Sequence, residues 1–323
     1  MDYSAVFDSL STKSIMVIGD VMLDSYIWGS VDRISPEAPV PVVRTMRTEH
    51  RLGGAANVAK NLAALGLQPL LCSVIGDDDA GKILRSILES REISTKLCVS
   101  ASNRTTTVKT RIISGNHQML RLDSEQTDSL SNSLETEMYE AIVQCVQNET
   151  ISGIILQDYN KGVLSALSIT KIIELAKTHS IPVFVDPKKD NFTVYSHVGL
   201  FKPNFKEFCE GVNSMCNKND SASLYSFAKE YMQSHAIERM MITLSEHGIF
   251  IANSTEYFHI PSQVRHVADV SGAGDTVISV AAACIIAELS DFEIARISNI
   301  AAGLACEMPG VVSITKEQLL KHI

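Results

Sequence analysis

No stretch of this sequence reaches the roughly 18 consecutive apolar residues that a membrane-spanning helix needs. The first residues, Met1 to Lys13, hold acids and no long apolar core, which excludes a secretory signal there and sets the expectation of a cytoplasmic protein. Blocks of lysine or arginine are missing too. With a formal charge of −9, the chain offers no broad basic face to nucleic acid or to an anionic membrane, so an anionic ligand has to be held locally. Cysteine pairs at CxxC spacing are absent. Cys72, Cys98, Cys145, Cys209, Cys216, Cys284 and Cys306 are scattered and odd in number, which argues against a disulfide framework or a zinc site and for reduced core thiols. Internal repeats, low-complexity tracts and linkers are also lacking, and one domain over 1–323 is expected.

What the chain does have is apolar residues, 45% of 323, enough for one large core. Short apolar runs read as buried strands at Ser14–Gly19, Pro69–Ile75, Gly153–Leu156, Ile181–Val185, Met240–Leu244 and Gly248–Ala252. Helical patterns lie between and after them, at Ala55–Leu65, Gly81–Ser90, Ser133–Gln147, Ser165–His179, Ser221–His235, Val277–Ala287 and Asp291–Glu307. This alternation predicts an α/β fold: a doubly wound, mainly parallel sheet with helices on both faces and ligands at the carboxyl ends of its strands. Two segments break the pattern. Residues 24–51, with Pro36, Pro39 and Pro41, and residues 104–122 alternate like exposed strands, and together they predict a small β-sheet lid over the ligand crevice. An edge extension of the main sheet without a gating role is the alternative.

The segment Asp269-Val-Ser-Gly-Ala-Gly-Asp275-Thr276 precedes the long apolar run Val277–Leu289. Gly272, Ala273 and Gly274 have no bulk to keep an anion from backbone N–H groups at a helix start, and Asp275 stands beside them as an acid within reach of an acceptor hydroxyl. Phosphoryl transfer needs both elements: dipoles where oxygen charge develops, and a group that takes the proton from the attacking hydroxyl. The plainer reading is a tight turn with a capping Asp.

Gly53-Gly-Ala-Ala-Asn57 near the front, Lys202-Pro-Asn204-Phe-Lys-Glu207 and the Asp269–Thr276 segment, in that order, resemble the signatures of the ribokinase-like (PfkB) sugar kinases. The stretches Ile18–Gly29, Arg33–Val43, Gln118–Asp123 and Asp158–Gly162 are similar, within that family, to the bacterial D-glycero-D-manno-heptose-7-phosphate kinases of lipopolysaccharide-core synthesis. The resemblance implies ATP and Mg²⁺, admits K⁺, and leads to the expectation of a homodimer joined through the lid strands. No His-x-Gly-His nucleotide-transfer element is found, so a stand-alone kinase is expected, with adenylylation left to another enzyme. The same scaffold serves other acceptors, among them fructose 6-phosphate, tagatose 6-phosphate and ribose, and a non-catalytic sugar-phosphate sensor is a further alternative.

Roles follow position by position as implications of that resemblance. Asp275 is the base, and Gly272, Ala273 and Gly274 form the anion hole. Asp20 and Asp24 bind sugar hydroxyls, Asp20 the favoured one; Gly53, Gly54 and Asn57 line the sugar side. Arg33, Lys109, Arg111, Arg121 and Lys161 are the candidates for holding the substrate's phosphate. Lys188, Thr243, Ser245, Gly248, Asn299 and Gly303 belong to the nucleotide side, with Asn204 and Glu207 acting on Mg²⁺ through water. Val270 and Ser271 replace the commoner threonines of the family, and Glu307–Ser313 departs from the expected Gly-Thr-rich stretch beside the adenine and the monovalent-cation site.

Overall fold

A computed structural model describes residues 2–115, 117–263 and 267–323. Its strands are β1 (Ser14–Gly19), β2 (Val21–Ile34), β3 (Pro41–Gly54), β4 (Gln68–Gly76), β5 (Ser94–Ala101), β6 (Val108–Ser114), β7 (His117–Ser124), β8 (Ile151–Gln157), β9 (Val183–Asp186), β10 (Leu200–Phe201), β11 (Met240–Thr243), β12 (Ile249–Ala252) and β13 (Tyr257–Ile260). The helices are α1 (Tyr3–Ser9), α2 (Ala55–Ala64), α3 (Asp79–Ser90), α4 (Asn132–Asn148), α5 (Ala166–Thr178), α6 (Phe205–Gly211), α7 (Ser221–His235), α8 (Ala273–Ile286), α9 (Asp291–Cys306) and α10 (Lys316–Leu320).

Among the described residues, nine strands form one sheet in the order β13-β12-β11-β10-β9-β8-β1-β4-β5. It is parallel from β5 to β11 and antiparallel at the β11-β12-β13 edge. The central strand β1 is apolar along nearly its whole length because helices cover both of its faces, and two buried clusters lie on the two sides of the sheet. Helix α8 is buried on all sides from Asp275 to Cys284, wedged between the sheet, α2 and α9.

The two segments that broke the alternation form a second sheet, in the order β3-β2-β6-β7. It begins earlier than its sequence pattern suggested: β2 starts at Val21, directly after Asp20, and β3 runs down to Gly54, the residue that caps α2. Cross-strand register places Asp24, Lys109, Arg111, Arg121 and Asp123 on one face, while Ile27, Ile112, Leu120 and Leu122 share the other. The sheet is thus charged on one side and apolar on the other.

Some boundaries shift for identifiable reasons. Strand β9 starts at Val183, two residues later than the apolar run, because Pro182 has no N–H to give a ladder. Helix α8 starts at Ala273, four residues before the apolar run Val277 onward, so Asp275 lies inside its first turn.

Candidate active site

The polar residues that follow the parallel strands converge. Asp20 follows β1, Gln157 ends β8, Asp186 ends β9, Lys202 follows β10 and Thr243 ends β11. All lie at the carboxyl ends, where helix N-termini also point. Above them α8 begins with Gly272 in the left-handed region (φ +81°) as its N-cap. The Ala273 N–H donates back to the Val270 carbonyl at 3.3 Å. Gly274 and Asp275, in the first turn, have no carbonyl one turn earlier in the helix to accept from them. Of the expected anion-hole residues, then, Ala273 spends its amide on the turn.

Asp275 is 3% exposed, and both carboxylate oxygens are held. Asn57 Nδ2 donates to Oδ2 at 2.7 Å, while Tyr159 Oη at 2.7 Å and Gln157 Nε2 at 3.2 Å donate to Oδ1. Burial pushes the carboxyl up to about 6, against the pull of the Asn57 and Tyr159 hydrogen bonds. Burial, then Asp275 and Asp186, hold the Tyr159 phenol well above its usual value, so it remains a donor. Gln157 Nε2 also reaches Asp186 Oδ2 at 3.0 Å, and Lys202 Nζ pairs with that oxygen at 3.1 Å. A Cβ on Gly274 would stand 3.8 Å from Lys202 Nζ and 3.9 Å from Asp186 Oδ2, so this buried ion pair adjoins the helix start.

On the sugar side both acids are engaged. The Asp20 carboxylate accepts from the backbone N–H groups of Tyr159 at 2.8 Å, Lys161 at 3.0 Å and Val163 at 3.1 Å. Its oxygens pin the 159–163 loop, while Asp24 is likewise buried and held by a guanidinium. Burial, with Asp158 adding to it, raises Asp20 to about 6 in spite of those three donors. Asp24 pairs with Arg111, whose guanidinium also lies 5.2 Å from the centre of the Tyr26 ring. The two glycines of the front motif have packing reasons: a Cβ on Gly53 would lie 2.4 Å from Asp24 Oδ2, and one on Gly54 (φ +59°) would lie 2.3 Å from the Asp20 carbonyl.

The candidate phosphate-holding cations divide. Lys109 and Arg121 share Asp123, at 3.9 and 2.9 Å, on the lid face that also carries Asp24. Lys161 Nζ pairs with Glu125 at 2.8 Å, and Arg104, not singled out in the sequence, donates to the Asp128 carbonyl at 3.2 Å. Arg33 is exposed near the outer end of β2, about 30 Å along the strand from Asp24 at ~3.3 Å per residue, and this chain's own crevice is out of its reach.

The nucleotide-side expectations gather better. A cavity of about 470 Å³ between the β11-β12 connection and helices α8 and α9 is lined by Thr243, Ser245, Gly248, Ala273, Gly274, Asn299 and Gly303. Asn299 Nδ2 donates to the Pro261 carbonyl at 2.9 Å, and Val267 and Val270 give the cavity an apolar rim. Lys188, Asn204 and Glu207 form a neighbouring cluster instead. Asn204 caps α6 in a reciprocal box with Glu207 (2.9 Å each way), and the other Glu207 oxygen pairs with Lys188 Nζ. Burial works to lower the Lys188 ammonium, but Asp186 and Glu207 outweigh it and hold it above its usual value. Among the described residues no three His, Cys, Asp or Glu side chains are grouped to hold a metal ion.

Gln157, Tyr159, Asp186 and Lys202 were not singled out as site residues. The signal was present: Gln157 and Asp186 are the polar last residues of buried parallel strands, and Lys202 directly follows one.

The model of the "pfkB family carbohydrate kinase" matches residues 12–318. A bifunctional protein HldE of Pelobacter propionicus is 38% identical over 320 residues, 99% of this chain and 65% of that protein. Another, of Helicobacter pylori, is 39% identical over 308 residues, 95% and 65% respectively. This chain therefore spans about two thirds of the length of such relatives. Among solved structures, phosphofructokinase-2 from Escherichia coli in complex with substrates and products superposes with a TM-score of 0.79 at 20% identity, covering 96% of this chain and 97% of that one. The family match and the cradle of Gly272, Gly274 and Asp275 agree: the chain belongs to the pfkB family of ATP-dependent carbohydrate kinases.

Proposed function

We propose that this kinase transfers the γ-phosphoryl group of ATP to the anomeric hydroxyl of D-glycero-D-manno-heptose 7-phosphate, giving the 1,7-bisphosphate. The carrying observation is Asp275, a buried carboxylate held by the front-motif Asn57, standing where the nucleotide cavity meets the sugar side. In this reading the hydroxyl oxygen attacks the γ-phosphorus in line, the bond to the β,γ-bridging oxygen breaks, ADP departs and the hydroxyl proton passes to Asp275. The open amides at the start of α8 face the developing charge, with Lys188 and Lys202 nearby. Glu207 and Asn204 would hold a Mg²⁺ ion arriving with the nucleotide, and that ion would supply charge neutralisation. Asp20 and Asp24 take the sugar hydroxyls, and Lys109, Arg111 and Arg121 on the Asp24 face of the lid sheet turn toward the substrate phosphate.

The heptose assignment rests on the Arg33–Val43 and Asp158–Gly162 stretches and on the similarity to the bifunctional HldE proteins along almost the whole chain. The test is release of ADP with Mg-ATP and heptose 7-phosphate against fructose 6-phosphate, ribose and no acceptor. Turnover strongly favouring the heptose phosphate is expected; preference for another acceptor overturns the assignment and leaves the kinase.

A further inference from the structure

A second cavity, of about 500 Å³, lies away from the nucleotide cavity, between β3, helices α2 and α3, and the stretch 311–315. Three cations line it: Arg51 from β3, Lys60 from α2 and Arg91, the C-cap of α3. Only Arg51 has an acid, Glu49, at 2.7 Å. Lys60 Nζ has the Val311 carbonyl at 3.4 Å, and the Arg91 guanidinium has no hydrogen-bond or ion-pair partner among the described residues. Two buried polar atoms on the same wall, His50 Nδ1 and Ser313 Oγ, also lack partners there. Burial first, then repulsion by Arg91 and Arg51, brings the Lys60 ammonium down to about 8.

Three cations with one carboxylate, Glu49, between them leave Lys60 and Arg91 without an ion-pair partner among the described residues, an arrangement that an incoming anion would relieve. A carboxylate is too small to satisfy this many donors. A phosphate dianion, with three acceptor oxygens and a geometry that an Arg fork matches, fits them, and the volume accommodates one or two phosphoryl groups with a small organic body. We propose that this cavity is a binding site for a small phosphorylated anion, held by Lys60, Arg91 and Ser313 and separate from the catalytic cradle. Its wall adjoins the catalytic residues. Lys60 lies one turn along α2 from Asn57, which holds Asp275, and a Cβ on Gly272 would lie 3.1 Å from the side chain of Val311, on the cavity wall.

The test uses pyrophosphate as probe, titrated calorimetrically into the protein already saturated with ADP, whose own binding is measured first. A residual pyrophosphate site is expected, weakened at least tenfold by Arg91→Gln and by Lys60→Gln and untouched by Lys82→Gln on the exposed side of α3. Absence of the residual site, or equal affinity in Arg91→Gln, overturns the proposal. Arg91 is exposed, so its variant keeps the test decisive if Lys60→Gln folds poorly. Failure of ADP to bind in the first titration speaks against the nucleotide cavity instead, and the comparison of wild type with Arg91→Gln still stands.

Discussion

Asp275 has two measurable signatures. As the proposed base, its replacement by Asn should lower kcat by about 10²–10⁴-fold with little change in ATP affinity. As a buried carboxyl raised to about 6, it binds its proton more tightly folded than unfolded, so its ionised form costs stability above that pH and the cost fades as pH falls toward 4. Asp275→Asn should therefore stabilise the protein at pH 7 by on the order of 2 kcal/mol, with the gain shrinking to nothing near pH 4, read by urea unfolding at both pH values. The amide has partners waiting, since Asn57 Oδ1 and Gln157 Oε1 are buried without any among the described residues. Tyr159 is a positioning residue for the same group. Tyr159→Phe removes a donor that favours the charged form, so the acid limb of the kcat/KM profile should move up by about one pH unit. A fall in rate by the same factor at every pH would leave the phenol only a packing role. The back motif, with its glycines and acid, was legible in sequence because it is contiguous. Tyr159 and Gln157 were not, because a residue 116 positions from Asp275 acquires its meaning only when β8 is laid beside β1 and under α8.

At the scale of elements, the start of α8 joins packing to chemistry. A Cβ on Gly272 would meet Asn57 Nδ2 at 2.9 Å and Val311 Cγ1 at 3.1 Å, on a backbone at φ +81°. Gly272→Ala should thus cost about 1–2 kcal/mol from the left-handed conformation alone and, by displacing Asn57, lower kcat more than tenfold. Paired unfolding and rate measurements check this; a loss of stability with full activity would separate the turn from the base. Elements whose burial is simple were the readable ones. The runs that became β1, β4, β8 and α2 are apolar in the pattern their layer requires. Strand β10, two residues long, and the edge strand β13 carry too few residues for a period to show, and β5, written Ser-Thr-Lys-Leu-Cys-Val-Ser-Ala, hides its pattern behind polar positions at the sheet's other edge. Asn204, expected to act on phosphates and metal, also caps α6, a job the Asn-x-x-Glu spacing spells.

The whole molecule carries an unpaired surface. The lid sheet turns charge toward the site, and on its opposite face Leu120 and Leu122 are each 51% exposed beside Ile27 and Ile112. A second copy covering that face is the arrangement we propose, consistent with the apolar character of subunit contacts. Sedimentation should show a dimer for the native chain and a monomer for Leu120→Glu, while a native monomer at micromolar concentration rules the arrangement out. The lid's attachment has a mechanical corollary. Both long strands spring from the crevice itself, β2 directly after Asp20 and β3 ending at the Gly53-Gly54 pair against Asp24. A strand of 14 residues is a lever about 45 Å long at ~3.3 Å per residue, so a pivot of about 5° at its root sweeps the tip by about 4 Å. The single tryptophan, Trp28, rides on that lever with its cross-strand neighbour Arg47, whose guanidinium is 4.9 Å from its ring centre, so a change of indole emission on adding sugar is the signal by which movement of the arm against its surroundings can be sought.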